Sequence, residues 1–251
     1  MQLSEKLKIL REIIRRVCGE LIKSRQDIVA VFVVGSVARG NIHEMSDVDM
    51  CVLVKEGNEP RREIIQKSNC SIDIVYVPLR LWKERLQRDV GSMWEINVSN
   101  VLDSIVLYDP TGLIRRIKRE LSKYPEEKRR ENILHHFHMV GWYENAVKYH
   151  YLKGNYDIES IFSKLFTIEA LRILFPLNRV YLKGDKYLFE QVKNLKTPPG
   201  FLEKCFSLLW FKSRGVKREE AIWIVNTVSE IRKTLEKEIN SLNVIRSTNK
   251  T

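Results

Sequence analysis

VFVVGSVARGNIHEMSDVDMCVLV, residues Val31 to Val54, decides the reading of this chain. It begins inside DIVAVFVV (Asp27 to Val34), a β-branched, apolar run of the kind that forms a buried strand. Gly35, Ser36, Gly40, Asn41 and Ser46 then mark a turn-rich connection from Gly35 to Ser46. DVDMCVLV, Asp47 to Val54, reads as a second strand. Residues two apart on a strand point to the same side, so Asp47 and Asp49 present their carboxylates together. Two adjacent carboxylates repel each other unless a cation lies between them. Mg²⁺ suits that place because it prefers hard oxygen ligands and bridges carboxylates to phosphates. Gly35 lets the backbone approach a phosphate closely. The N–H groups after it, with the Ser36 hydroxyl, can cradle phosphate oxygens if a helix begins there. For both parts to meet one triphosphate, the end of the first strand must lie beside the start of the second, which predicts an antiparallel pair.

Downstream, SIDIVYV (Ser71 to Val77) reads as a third strand with Asp73 among apolar neighbours. A charge in such a strand needs a reason. Joining Asp47 and Asp49 around a second metal ion supplies one. Each piece alone is weak: a Gly-Ser turn is common, Asp-x-Asp occurs on exposed faces, and a lone Asp73 can face solvent. The combination is specific.

The remaining elements follow from periodicity. Leu7, Leu10, Ile14, Val17 and Leu21 predict an amphipathic helix over residues 3–24. Short helices are expected at Arg61 to Lys67 and Leu79 to Val90, and a fourth strand at Ser104 to Tyr108. After Gly112 the pattern is helical throughout: 113–122, 125–153, 158–177, 186–194, 200–212 and 217–239. The expected fold is therefore a mixed α/β half with a mixed sheet, followed by an all-helical half, with the boundary between Gly112 and Pro125. The polar tail from Asn243 is expected to fray.

Composition excludes several classes. With 44% hydrophobic and 30% charged residues the chain is globular rather than disordered. No apolar run is long enough to span a bilayer, and the N-terminus mixes charges into its apolar pattern, unlike a secretory signal. A cytoplasmic location is the expectation. Cys18, Cys51, Cys70 and Cys205 lack metal-site spacing and are expected to be buried, reduced thiols. His135, His136 and His138 cluster, but on a helix they point in different directions, which argues against zinc. The net charge of +11 favours a polyanionic partner, either a triphosphate or a nucleic acid.

Strand, Gly-Ser, ten residues, Asp-x-Asp, then an apolar strand with Asp resembles the nucleotidyltransferase superfamily that includes DNA polymerase β and the aminoglycoside nucleotidyltransferases. The likeness is greatest to the kanamycin nucleotidyltransferases, through SDVDMCVLV, SIDIVYV, the LYDPTG turn at Leu107 to Gly112 and the helices after it. The resemblance implies a catalytic domain over 1–118 and a helical domain over 119–251 that contributes to the acceptor site and dimerisation. It implies that Asp47, Asp49 and Asp73 hold two Mg²⁺ ions, and that Gly35, Ser36 and Arg39 bind the triphosphate. In WYENAVKYHYL (Trp142 to Leu152), it implies that Glu144 is the base for the acceptor hydroxyl and that Lys148 contacts phosphate. Read without the family, Glu144 and Lys148 are an ordinary i,i+4 surface pair.

The implied reaction moves a nucleoside monophosphate, AMP from ATP, to a hydroxyl of a small aminoglycoside-like acceptor in a homodimer, with no membrane partner. Two alternatives carry different chemistry. One is transfer to a macromolecular acceptor, an RNA end or a protein hydroxyl. The other is a nucleotide-binding protein without turnover.

Overall fold

A computed structural model describes residues 3–42, 46–67 and 70–242. The middle of the 35–46 connection and the tail expected to fray lie outside the described residues. The chain divides into two compact units: Met1–Asp89 with Ile96–Lys123, and Val90–Glu95 with Tyr124–Thr251.

The first unit is built on a five-stranded mixed sheet in the order β3-β4-β2-β1-β5. The strands are β1 (Ile28–Val34), β2 (Val48–Val54), β3 (Arg61–Lys67), β4 (Cys70–Pro78) and β5 (Ile105–Tyr108). β1 and β2 pair antiparallel, as the triphosphate argument required, and only β2 and β4 run parallel. Alternation sends the two sets of side chains to opposite faces. Val31, Val33, Val48, Met50, Val52, Ile72 and Ile74 pack under helix α1 (Leu3–Ser24), whose Leu10, Ile14, Val17 and Leu21 are buried as the periodicity predicts. Ala30, Phe32, Leu53 and Val77 form a second cluster with Trp82, Val101, Leu113 and Ile114. Those four come from α3 (Leu79–Arg88), α4 (Gly91–Asp103) and α5 (Leu113–Leu121). In the LYDPTG turn, Asp109 Oδ2 accepts from the backbone N–H groups of Ile114 and Arg115 at 3.0 and 3.2 Å, capping α5.

Two sequence expectations are corrected here. Arg61 to Lys67 is an edge strand, not a helix. Its neighbour β4 offers an open edge, and backbone pairing over the full length of RREIIQK outweighs a weak local helical tendency. Residues 91–103, to which periodicity assigned no element, form α4.

The second unit is helical: α6 (Glu126–Leu152), α7 (Tyr156–Arg172), α8 (Leu174–Asn178), α9 (Leu188–Gln191), α10 (Phe201–Leu209) and α11 (Arg218–Ser241). The segment expected as one helix over 158–177 is two, separated at Ile173. A polar network lies within its core. Tyr124 donates to Glu95 Oε1 at 2.6 Å, Asn132 donates to the Tyr124 hydroxyl at 2.7 Å, and Tyr181 stacks on Tyr124. Burial pushes Glu95 up to about 8, so at neutral pH it is mostly protonated and uncharged. His136 Nδ1 lies 2.8 Å from Glu169, so the histidine serves as a buried structural partner.

All four cysteines are free thiols, as expected, and Cys18, Cys70 and Cys205 are buried. Among the described residues no helix is long and apolar enough to cross a membrane.

Glu159 on α7 is 0% exposed, and neither carboxylate oxygen has a hydrogen-bond partner among the described residues. Burial raises its pKa to about 7. Because the folded value lies above the unfolded one, stability is full below about pH 4.5 and falls as pH rises through 7. Glu159→Gln is therefore expected to raise stability by about 1–3 kcal/mol at pH 8 and to change it little at pH 4. Urea unfolding at both pH values checks this.

Candidate active site

Two of the three acids expected to act together, Asp49 and Asp73, are placed by strand register. On the antiparallel pair, Asp49 lies opposite Val34, the last residue of β1. On the parallel pair, Asp49 is the register partner of Asp73. Both carboxylates therefore stand on one face of the sheet, at the end where β1 gives way to Gly35. Asp47 is exposed, just before β2 begins.

Gly35 and Ser36 sit beside them. Gly35 adopts φ +72°, and a Cβ there would collide with Asp49 Oδ2. The carboxylate is thus aimed at the Gly-Ser corner, and only glycine leaves room for it. A short helix α2 (Gly35–Ala38) begins at this corner, and Ser36 on it is buried.

Arg39 follows α2 and is 7% exposed at its side chain. Its guanidinium donates to Asp103 Oδ2 at 2.7 Å and Asn100 Oδ1 at 2.8 Å, both on α4. The observed work of Arg39 is to tie the corner to α4. Asp73 is also partnered: Arg62 Nε donates to its Oδ1 at 2.8 Å, and Nη2 to its Oδ2. The Arg62 pKa is held above its ordinary value, first by this hydrogen bond and the Asp73 charge, with the charges of Asp49 and Asp47 adding to it. All three acids therefore act on one guanidinium.

Among the described residues no group of three or more His, Cys, Asp or Glu side chains is gathered as a ready metal centre. The donor set nevertheless fits Mg²⁺ in kind: hard carboxylate oxygens on adjacent strands at a glycine-relieved corner. Asp47, Asp49 and Asp73 are the residues that could hold it.

A cavity of about 370 Å³ opens beside Gly35, Asp49 and Asp73. Trp82, Arg85 and Leu86 of α3 and Asn97, Asn100 and Val101 of α4 line it against the sheet. Apolar walls with a few amides and a cation are the usual make-up of a small-molecule pocket. Sequence reading missed these residues. Trp82 and Leu86, four apart in a stretch already expected to be helical, were the available signal for one wall. Cys51 also lines the cavity, and burial pushes its thiol up to about 12 against the lowering effect of Arg85, so it stays a neutral thiol.

Glu144 and Lys148 belong to the second unit. Lys148 Nζ donates to Glu144 Oε1 at 2.7 Å, and the positive charge of Arg232 on α11 also acts on Glu144.

Residues 11–130 match the family model described as a nucleotidyltransferase domain. The chain is also similar to the crystal structure of a nucleotidyltransferase-like protein from Exiguobacterium sibiricum 255-15, with a TM-score of 0.64 at 12% identity, covering 90% of this chain and 77% of that one. The fold is that of the nucleotidyltransferases. Residues 91–188 match a second model, a domain of unknown function (DUF4037). No curated protein matches the chain. The nucleotidyltransferase match supports nucleotidyl transfer as the class of reaction and an NTP as substrate.

Gly35→Ala is expected to lower the melting temperature, because the left-handed backbone costs a non-glycine residue roughly 1–2 kcal/mol and the methyl displaces Asp49. Thermal unfolding measures the loss.

Proposed function

We propose that this protein transfers AMP from ATP to a hydroxyl of a small aminoglycoside-like acceptor and releases pyrophosphate. The observation that carries this reading is the gathering of Asp49, Asp73 and the Gly35–Ser36 corner on one sheet face, beside a pocket of nucleotide-compatible size. The first unit is the catalytic domain; the helical unit supplies acceptor contacts and a homodimer interface, as the kanamycin-type likeness implies.

Asp47, Asp49 and Asp73 would hold Mg²⁺, which when bound supplies charge neutralisation and alignment of the triphosphate. Backbone N–H groups at Gly35 and Ser36, with the Ser36 hydroxyl, hold phosphate oxygens. Arg39 keeps that corner in place through Asp103 and Asn100, and its charge adds to the attraction for the triphosphate. Glu144 takes the proton of the acceptor hydroxyl, whose oxygen bonds to the α-phosphorus as the bond to the bridging oxygen breaks. The electron pair leaves with pyrophosphate. Lys148, already bonded to Glu144, offers its charge to phosphate.

A macromolecular acceptor is the second reading, favoured by the net charge of +11. Steep weakening of RNA binding with salt would support it.

With ATP, Mg²⁺ and a panel of aminoglycosides, Asp49→Asn and Asp73→Asn are each expected to reduce pyrophosphate release by about 10²-fold or more while circular dichroism stays native. Glu144→Gln is expected to lower turnover by roughly 10²–10⁴-fold and leave ATP binding unchanged. Full transfer by the two aspartate variants would overturn the reading.

A further inference from the structure

Arg62 is bonded to an acid of the site, yet the proposed chemistry gives it no role. It lies on β3, opposite Val75 of β4, while Ile64 lies opposite Asp73. Arg62 and Asp73 are therefore diagonal neighbours on the same face, within reach of a long side chain. The guanidinium grips both oxygens of Asp73 as a fork, the geometry in which arginine binds carboxylates best. Its charge also interacts with Asp49 and Asp47. Asp49 and Asp73, register partners on adjacent strands, repel each other when both are charged, and this guanidinium relieves the repulsion.

The pair is also easy to open. The Arg62 side chain is 66% exposed and Asp73 13%. An ion pair with one partner in water is weak and salt-sensitive. Among the described residues β3 is the edge of the sheet, so no strand beyond it confines the arginine.

We infer that Arg62 is a displaceable resident cation that competes with a divalent metal ion for Asp73, so that metal loading requires the Arg62–Asp73 fork to open. The inference rests on the assignment of Asp47, Asp49 and Asp73 as metal-holding residues under the proposed function. Arginine cannot give up its charge at any physiological pH, so the competition is settled by displacement and not by titration.

Arg61 provides the control. It neighbours Arg62 in sequence but lies opposite Tyr76, on the other face of the strand. Arg61→Ala removes the same charge without touching the fork. The test is Mn²⁺ binding to the full chain, without nucleotide, followed by electron paramagnetic resonance. Arg62→Ala is expected to bind Mn²⁺ roughly three- to tenfold more tightly than wild type, with Arg61→Ala close to wild type. In an Asp73→Asn background the gain from Arg62→Ala should disappear. If Arg62→Ala binds no more tightly than wild type, or Arg61→Ala gains as much, the competition is refuted while the metal-holding acids stand. If neither wild type nor Arg62→Ala binds Mn²⁺, the metal assignment itself falls, and the competition with it.

Discussion

The register between β1, β2 and β4 is the constraint on which the site depends. Pairing Val34 with Asp49 puts a carboxylate against Gly35, and pairing Asp49 with Asp73 puts a second carboxylate beside the first. A slip of β2 by one residue would turn Asp49 into the apolar layer under α1 and bring Val48 or Met50 to the Gly35–Ser36 corner. The alternation that buries Val48, Met50 and Val52 is what forbids this slip. Hydrophobic burial on one face thus fixes the electrostatics of the other.

That second face carries stored repulsion, which the surroundings offset with cations and dipoles. Arg62 grips Asp73, and Arg39 on the other side of the corner is bonded to Asp103. These two arginines differ in kind. Arg39 is nearly buried and holds α2 against α4, so its loss would remove a tie to the half-buried Asp103 and Asn100. Arg62 is mostly in water, so its bond to Asp73 adds little stability and can be exchanged. Burial, not charge, separates the structural arginine from the exchangeable one.

The helical unit follows different rules. Its core tolerates Glu95, Asn132, His136, Glu169 and Arg172 because most of them are linked by hydrogen bonds, and Glu95 stays largely uncharged at neutral pH. Glu159 is the exception, buried with no partner among the described residues. Apart from His136 in its histidine cluster, none of these residues stands out in the sequence, since a polar residue on a long helix normally reads as solvent-facing.

The sequence by itself determined the α/β-then-helical order and the antiparallel relation of the first two strands, and it singled out Asp49, Asp73 and Gly35, which the sheet register brings to one corner. These depend on short-range rules: period-two alternation, glycine's access to positive φ, and the cost of clustering acids. Only the tertiary structure decided that Arg61 to Lys67 is an edge strand, that residues 91–103 form a helix, that Arg39 reaches α4 and that Arg62 grips Asp73. It also decided which side chains of α3 and α4 line the cavity. Each of those outcomes depends on a partner far away in sequence, on backbone groups or carboxylates that become neighbours only after the sheet has formed. No local pattern encodes such a meeting.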